Sequence, residues 1–424
     1  MTATVTPRLR RALAGAAVIA AATSLMACSV APSPADPGTE LTAAQVPWDQ
    51  VGTGWMLASW NPVPGRRPGE QVPDGEPRVA PSTLFLLDPS GRRYAVGNLP
   101  VLGADPVNDN PGYPASLADW SRDGRHALLQ KDGTCPRTKD AKGWHCTDPG
   151  ASRVQTTFTD IDLTSGVTRT FTVPAAVDGD YAGPADQSVL LSPRFPEKST
   201  WRRVDLSGAE ELSYPTDLGA AGTFTGSFLL SSDGTQLVAS GDKGMAMVGD
   251  DGVVGRKLPV PDTITKCRPV RWWTPSVILA DCTDVASNGD QLWTVPTDGG
   301  RPAALTAPNT GQEDSGFGRD LHDANAWQLP SGTYIQSLGP CGTVFVSQLT
   351  ADMHTTPVTI PEVASSSVGV VGATGNKLIV EGHAGCGPGT SLVAFDPATN
   401  TANVLLGPKV NGGSVRRAII YPGQ

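Results

Sequence analysis

The feature that most constrains this chain is a turn that recurs along it at nearly constant spacing. From about Gly54 onward, short β-type runs alternate with turn residues, without a convincing helical period. An aspartate marks the turn after the third strand of each unit, with successive gaps of 74, 43, 45, 48, 54 and 44 residues. The marking aspartates are Asp88, Asp162, Asp205, Asp250, Asp298, Asp352 and Asp396. A strand-rich unit of about 40 to 50 residues is typical of a propeller blade, which is one four-stranded sheet.

This spacing predicts an all-β propeller of about seven four-stranded blades, with six or eight also compatible. An insertion that holds Cys135 and Cys146 explains the long first gap. The last β-type run, Val415 to Tyr421, is expected to return to the sheet that begins near Trp55 and to close the ring. Closure has a physical reason, because an open ring leaves two strand edges exposed to other chains. The predicted domain is a single propeller over residues 47–424.

Three stretches resemble the repeat of TolB-like, or WD40-like (PD40), propellers. Residues 228–238 are a copy without the family's tryptophan, and residues 292–306 resemble its outer hairpin. The best match to the family's Trp-Ser-Pro-Asp-Gly motif, with arginine at the proline position, is Leu117-Ala118-Asp119-Trp120-Ser121-Arg122-Asp123-Gly124-Arg125-His126-Ala127-Leu128. The resemblance implies the propeller architecture, with Trp120 packed between blades and Asp123-Gly124 forming a turn.

The first 28 residues resemble the signal of a bacterial lipoprotein. Three arginines precede an apolar stretch, Ala12 to Ser24, which is too short for a bilayer core that needs about 20 residues. The following Leu25-Met26-Ala27-Cys28 resembles a lipobox. The resemblance implies cleavage of a signal peptide over residues 1–27 and acylation, including palmitate, at Cys28. The alternative is an ordinary signal peptide with a chance cysteine.

The segment after the lipobox predicts how the domain is held. Residues 28–46 are small, polar and rich in proline, which is typical of a flexible tether. Several acyl chains on one residue hold a protein on a bilayer much better than one chain does. We therefore expect a lipid-anchored protein on the extracytoplasmic face of the cell membrane. The net charge of −9, without a basic block beyond the first dozen residues, disfavours nucleic acid as a partner.

The remaining cysteines are even in number, which in an exported chain favours disulfides over a metal site. No two of them have the Cys-x-x-Cys spacing that is common in thiolate metal sites. Proximity in the sequence favours three pairs, which are Cys135–Cys146, Cys267–Cys282 and Cys341–Cys386.

The sequence contains no motif that indicates catalysis. The nucleophile elbow, the phosphate-binding loop, the dinucleotide fingerprint and the His-Glu-x-x-His helix are all missing from it. The histidines are scattered over different units, although adjacent blades can bring some of them to one end of the ring. We therefore predict a non-enzymatic protein without a catalytic residue, a cofactor or a metal.

Two regions are candidates for a binding face. The first is the pair Trp272-Trp273, for which interblade packing or disulfide cover is the alternative interpretation. The second is the acidic insertion over residues 309–324, whose candidate residues are Phe317, Arg319 and His322. For this second region the alternative is a solvated loop.

Three functions remain open at this point. The preferred hypothesis is a binding or scaffold lipoprotein that holds a protein or cell-envelope partner on one face of a rigid ring, because loops on rigid frames commonly carry recognition. The alternatives are a sensor for a small ligand or ion, and a glycan- or peptide-modifying enzyme with its site in the central channel. Propeller architecture does not distinguish them, since this fold hosts many activities.

Overall fold

A computed structural model describes residues 40–64, 80–99, 101–102, 113–132, 137–140, 143–146, 155–194, 201–311, 320–363, 367–383 and 389–422. Within these ranges the chain forms strands and three one-turn 3-10 helices, without an α-helix. The 3-10 helices are Ala43–Gln45, Gly219–Ala221 and Pro340–Gly342. None of the described helices is long and apolar enough to cross a membrane.

The first part of the chain forms three blades and two small inserted sheets. Blade 1 begins with β1 (Glu40–Thr42), β2 (Met56–Asn61), β3 (Ser82–Leu87) and β4 (Arg93–Leu99). A two-stranded pair follows, made of β5 (Val101–Leu102) and β6 (Tyr113–Pro114). Blade 2 and its inserted hairpin comprise β7 (Ser116–Trp120), β8 (His126–Asp132), the hairpin β9 (Arg137–Asp140) and β10 (Gly143–Cys146), then β11 (Thr156–Asp162) and β12 (Thr168–Val173). Blade 3 comprises β13 (Val177–Ala182), β14 (Ser188–Pro193), β15 (Arg202–Asp205) and β16 (Glu210–Ser213).

Four more blades and a closing strand complete the ring. Blade 4 comprises β17 (Phe224–Leu230), β18 (Gln236–Gly241), β19 (Gly244–Gly249) and β20 (Val254–Lys257). Blade 5 comprises β21 (Ile264–Thr274), β22 (Val277–Asp284), β23 (Asp290–Pro296) and β24 (Ala303–Ala304). Blade 6 comprises β25 (His322–Leu329), β26 (Gly332–Leu338), β27 (Val344–Leu349) and β28 (Thr355–Pro357). Blade 7 comprises β29 (Ser367–Thr374), β30 (Lys377–His383), β31 (Gly389–Asp396) and β32 (Thr401–Leu406), and the chain ends in β33 (Ser414–Ile420).

The C-terminal strand closes the ring, as the sequence predicts. β33 pairs antiparallel with β2, from Met56 opposite Ile420 to Asn61 opposite Ser414, and so becomes the inner strand of blade 1. It also contacts the inner strands of blades 2 and 7. Both ends of the propeller therefore share one sheet, and the described residues form seven blades, of which blade 1 carries β1 as a fifth strand beside its four blade strands.

The seven marker aspartates all lie at the junction of the third and fourth strands of a blade. In five of these turns, Oδ1 of the marker accepts a backbone N–H two or more positions further on, as Asp88 does from Ser90 at 2.9 Å. Such side-chain bonds to the local backbone stabilise the turn without help from the rest of the fold. This local origin explains why the spacing of the markers predicts the blades.

The core is divided among the seven contacts between neighbouring blades. Each contact has its own cluster of buried apolar side chains. Trp120 lies between blades 1 and 2, where it is 1% exposed and contacts Tyr421 edge to face at 5.5 Å, which confirms its predicted packing role. The contact between blades 5 and 6 differs from the others. Its apolar cluster has only four buried residues, Leu279, Leu292, Ala326 and Ile335.

The predicted tether ends earlier than residue 46. Glu40–Thr42 forms β1, which pairs in parallel with β4, and Val46 is buried in the core between blades 1 and 2. This arrangement is stabilised because β1 pairs with the otherwise free edge of β4 and because Val46 becomes buried. The composition of these residues did not indicate it. The assignment of residues 40–46 to the tether was therefore wrong, while residues 1–39, including Cys28, lie outside the described part of the chain.

Candidate functional site

Register irregularities in the inner strands shape a cavity near the channel. They interrupt β17, β21 and β25 where each pairs with the second strand of its blade. A bulge re-aims the side chains around it and often lies next to a functional site. The resulting cavity of about 410 Å³ involves blades 3 to 6 and is lined by Asp180, Ser192, Gly226, Ser227, Phe228, Arg268, Pro269, Val270 and Ala324.

A second cavity of about 250 Å³ adjoins the first. It involves blades 2 to 4 and the C-terminal segment. Its lining residues are Asp119, Trp120, Arg122, Asp180, Tyr181, Asp186, Phe228, Leu229, Leu230, Ser231, Ser232 and Pro422. Asp180 and Phe228 line both cavities, so these two residues mark where the cavities meet. We call this pair of cavities the joined cavities.

Asp119 is held rigidly at the wall of the smaller cavity. Its Oδ1 accepts the N–H of Trp120 and its Oδ2 accepts the N–H of Tyr181, each at 2.8 Å. The second bond crosses from blade 2 to blade 3. Burial raises the pKa of Asp119 to about 6, and the negative charge of Asp186 adds to the shift, whereas the two N–H donors oppose it.

Asp180 is differently placed, because its carboxylate accepts no hydrogen bond from the residues that the structure describes. Burial raises its pKa to about 7, and the negative charges of Asp119 and Asp178 add to the shift. The positive charge of Arg417, on β33, opposes the shift without forming an ion pair within 4.0 Å. Asp180 is half-buried and its carboxylate lacks donors from the described residues, so this position is one where a ligand can supply what the protein does not.

Phe228 is fixed by an aromatic stack. Its ring lies 5.9 Å from that of Trp201, which in turn stacks on Tyr214 at 4.6 Å and on Phe224 at 4.4 Å. Trp201 is completely buried, whereas Phe228 is only half-buried. The stack therefore holds an aromatic side chain at the meeting point of the joined cavities.

Arg122 makes contacts that proline at the same position could not make. Its backbone N–H donates to Oδ2 of Asp186 at 2.5 Å, and its Nη1 donates to Oδ1 of Asp186 and to the carbonyl oxygen of Gly183, both at 2.6 Å. A proline lacks both the N–H and the guanidinium. Arginine at this position thus ties blade 2 to blade 3 beside the smaller cavity.

A second group of charges fills the contact between blades 5 and 6. Arg268 of β21 donates to Oδ2 of Asp281 at 2.8 Å from Nε and 2.6 Å from Nη2. His322 of β25 lies between two carboxylates, with Nδ1 2.6 Å from Oδ2 of Asp290 and Nε2 3.3 Å from Oδ2 of Asp281. The hydrogen bonds with Asp281 and Asp290 raise the pKa of His322 to about 10. We call Arg268, Asp281, Asp290 and His322 the blade 5–6 ion network.

Three residues of the ion network are close enough together to hold a metal ion, but their ligand atoms are already engaged by other groups. The ligand atoms of Asp281, Asp290 and His322 lie within 4.8 Å of one another. Nδ1 of His322 faces Asp290, whereas Nε2 lies 3.3 Å from Asp281 and 3.1 Å from Nη2 of Arg268, whose guanidinium is also paired with Asp281. A metal would have to displace Arg268 and also a proton of His322, since a metal needs neutral imidazole. This arrangement fits an ion network better than a metal centre.

Two more carboxylates are buried next to this network. Asp320 accepts the N–H of His322 at 3.1 Å and the hydroxyl of Thr355 at 3.0 Å. Asp323 is completely buried, and neither of its carboxyl oxygens has a hydrogen-bond partner among the described residues. Burial raises the pKa of Asp323 to about 9, and the charge of Asp320 adds to the shift. Asp323 is therefore protonated at neutral pH.

The structure describes three of the five predicted binding residues. His322 joins the ion network, whereas Phe317 and Arg319 lie outside the described residues. Trp272 donates from Nε1 to the carbonyl oxygen of Leu230 in blade 4, at 2.8 Å, and is packed against the core between blades 4 and 5. Trp273 packs against the core between blades 5 and 6. These positions favour interblade packing over a binding face for the two tryptophans.

One predicted disulfide is present. Cys267 and Cys282 lie directly opposite each other on β21 and β22, are both buried, and form a bond. The bond lies beside the cross-strand pair Arg268 and Asp281, so it fastens the strands that carry the ion network. The side chains of Cys135, Cys146, Cys341 and Cys386 lie outside the described part of the structure, and their pairing stays a prediction.

Sequence reasoning missed the residues that meet at the joined cavities. Asp119 and Phe228 were within the repeat copies, but their position in a motif shows only the architecture. Asp180 lies in the short run Val177–Ala182, which carries acids at positions 178 and 180, so the pattern did not single out Asp180. The role of Asp281 and Asp290 is apparent only when blade 6 lies beside blade 5, because His322 of blade 6 then contacts both carboxylates.

The sequence matches no protein-family model and no curated protein. Solved structures match it at low identity. A puromycin-hydrolyzing peptidase of Mycobacterium tuberculosis is 15% identical over 77% of this chain, with a TM-score of 0.41. This chain covers 50% of the length of that peptidase. TolB of Acinetobacter baumannii is 13% identical, with 91% of this chain and 88% of TolB covered and a TM-score of 0.38. Apo AztD of Citrobacter koseri is 13% identical, with 88% of this chain and 96% of AztD covered and a TM-score of 0.36. These matches do not bear on chemistry, so the function is argued below from the joined cavities.

Proposed function

We propose that this chain is an extracytoplasmic, lipid-anchored propeller that acts as a non-catalytic binding module, with the joined cavities as the centre of its binding face. The observation that carries the proposal is that residues of five neighbouring blades, 2 to 6, line two cavities that meet at Asp180 and Phe228. The ring is closed by β33, which holds these blades in fixed positions. A preformed, concave and partly polar surface of this kind is typical of recognition.

The lining of the larger cavity mixes small or apolar residues with polar ones. Gly226, Val270 and Ala324 supply shape, whereas Asp180, Ser192, Ser227 and Arg268 supply polar groups that a bound partner can contact. The second candidate is an enzyme that acts in the channel. The pKa values of Asp119 and Asp180, raised to about 6 and about 7, favour that candidate, since a general acid works best near the ambient pH.

Site-specific crosslinking in live cells tests the binding role. A photoreactive amino acid at Ser232, which is exposed at the rim of the smaller cavity, is expected to capture the same partner in repeated experiments. The same amino acid at Val253, 62% exposed in the outer turn of blade 4, is the matched control and is expected to capture none. Equal capture from both positions, or none from Ser232, contradicts a partner at the joined cavities.

The anchor has its own test. A Cys28→Ala variant is expected to leave the membrane fraction, because the thiol that would carry the diacylglyceryl group is missing. Mass spectrometry of the wild-type protein is expected to find an acylated N-terminal Cys28. An uncleaved and unmodified N-terminus contradicts the anchor.

A further inference from the structure

We propose that the joined cavities bind an organic cation, an ammonium or guanidinium group, between the carboxylate of Asp180 and the ring of Phe228. The inference rests on the binding role proposed above and names the chemistry of the ligand. The cation belongs either to a free amine or to a lysine or arginine side chain of a partner protein.

The first argument is the state of the two carboxylates. Both oxygens of Asp119 are engaged by backbone N–H groups, so Asp119 contributes charge but little further accepting capacity. Asp180 has the opposite character, since its oxygens accept no hydrogen bond from the described residues while it lines both cavities. A bound cation supplies the donors and the opposite charge that this position lacks.

The second argument is the kind of cation that the lining suits. Phe228 lines both cavities, and Ser192, Ser227 and Arg268 also line the larger one, with the guanidinium of Arg268 paired with Asp281. An ammonium group has three donors and is attracted to an aromatic face. A hard metal ion such as calcium instead takes about six to eight oxygen ligands. One available carboxylate beside an aromatic ring therefore fits an organic cation better than a metal.

The third argument is size. The cavities measure about 410 and 250 Å³, whereas small-molecule sites usually measure about 300 to 1,000 Å³. The methylene chain of lysine or of a diamine fits this space, with Pro269 and Val270 as apolar lining. The cation can reach Asp180 from either cavity, because Asp180 lies where they meet.

Calorimetry on the full-length protein in detergent tests the inference with three probes. The probes are cadaverine, an acetylated Gly-Lys-Gly amide, and the same peptide with norleucine in place of lysine. We expect at least one cationic probe to bind and the norleucine peptide not to bind. Binding of cadaverine as tightly as the lysine peptide assigns the site to free amines, and binding of the peptide alone assigns it to a side chain of a partner.

Two variants locate the cation. Asp180→Asn is expected to weaken binding by about tenfold or more, which corresponds to the loss of a charged hydrogen bond. Asp178→Asn, two residues away on the same strand, is the matched control, because Asp178 is exposed and paired with Arg194, and it is expected to change the affinity less than twofold. Asp180→Asn is expected to keep the melting temperature, because Asp180 is half-buried and accepts no hydrogen bond from the described residues, so lost binding would not reflect unfolding.

The outcomes separate this inference from the binding role. Absence of binding for both cationic probes, or equal binding by wild type and Asp180→Asn, overturns the cation site. If the Ser232 crosslinks persist in that case, the binding role stands without the cation site. If a cation binds but Ser232 gives no crosslink, the cation site stands and the partner-binding role does not.

Discussion

The imidazole Nδ1 of His322 lies 2.6 Å from Oδ2 of Asp290, and this contact joins the first strand of blade 6 to the third strand of blade 5. It lies at the one contact between blades whose apolar cluster has only four buried residues. Here a charged network replaces part of the hydrophobic core. Ion pairs depend on pH and apolar contacts do not, so we expect the stability of this part of the ring to change with pH.

The His322 contact predicts a loss of stability at alkaline pH. The pKa of His322 rises from 6.5 to about 10 on folding, through its hydrogen bonds with Asp281 and Asp290. The stabilisation is therefore complete below about pH 6.5 and is lost as the pH rises toward 10. We expect His322→Asn to lower the free energy of unfolding by about 2 kcal/mol at pH 6 and by much less at pH 10, as measured by urea denaturation.

His354→Asn serves as the control for this experiment, because His354 lies in an exposed turn of blade 6 next to Asp352. It is expected to change the free energy of unfolding little at either pH. A penalty for His322→Asn that is the same at pH 6 and pH 10 would show that its charge plays no part.

For Asp323 we predict that a substitution stabilises the protein, in contrast to the substitution of His322. Its pKa rises from 3.8 to about 9 on folding, mainly because it is buried. Between these values the unfolded chain ionises while the folded protein does not, so folding loses stability as the pH rises. We expect Asp323→Asn to remove this loss and to raise the free energy of unfolding by about 1 kcal/mol or more at pH 8, with a smaller gain at pH 5.

Asp320→Asn provides the contrast in the same urea experiments. Asp320 accepts hydrogen bonds from His322 and Thr355, so its substitution is expected to destabilise the protein. A loss of stability in Asp323→Asn at both pH values would contradict a neutral, buried carboxyl at that position.

Arg122 predicts that proline at this position is harmful in this chain. Arg122→Ala removes the guanidinium contacts to Asp186 and Gly183, whereas Arg122→Pro also removes the N–H that donates to Asp186. Both variants leave the buried Asp186 with fewer partners, which costs about 3 kcal/mol when a buried pair is broken. We expect both melting temperatures to fall, and that of Arg122→Pro to fall further. A proline variant as stable as the wild type would show that the tie between blades 2 and 3 is unimportant.

We predict that the single disulfide Cys267–Cys282 contributes measurably to the free energy of unfolding. Cys267 and Cys282 are separated by 15 positions, and closing a loop of this size stabilises a fold by about 3 kcal/mol in the chain-entropy account. The double variant Cys267→Ser with Cys282→Ser is expected to lose about this amount of the free energy of unfolding. Wild-type protein without reductant is the reference, and an unchanged free energy would contradict a structural role.

By itself the sequence predicted the class of fold, about seven blades and their order, because most of the blades contain a turn that is stabilised by its own residues. Asp88 accepts bonds from Ser90 and Arg92, only two and four positions away, and such local contacts can be recognised along a chain. Ring closure by β33 also followed, since a strand-rich repeat with free edges is unfavourable.

Only the tertiary structure decided which charged side chains meet. Asp119 and Tyr181 are separated by 62 positions, and His322 and Asp290 by 32. Their contacts arise because ring closure places each blade against the next, and because bulges in the inner strands turn particular side chains toward the channel. Neither the direction of a side chain at a bulge nor its burial is encoded in the turn spacing, so the joined cavities and the ion network became visible only in the assembled ring.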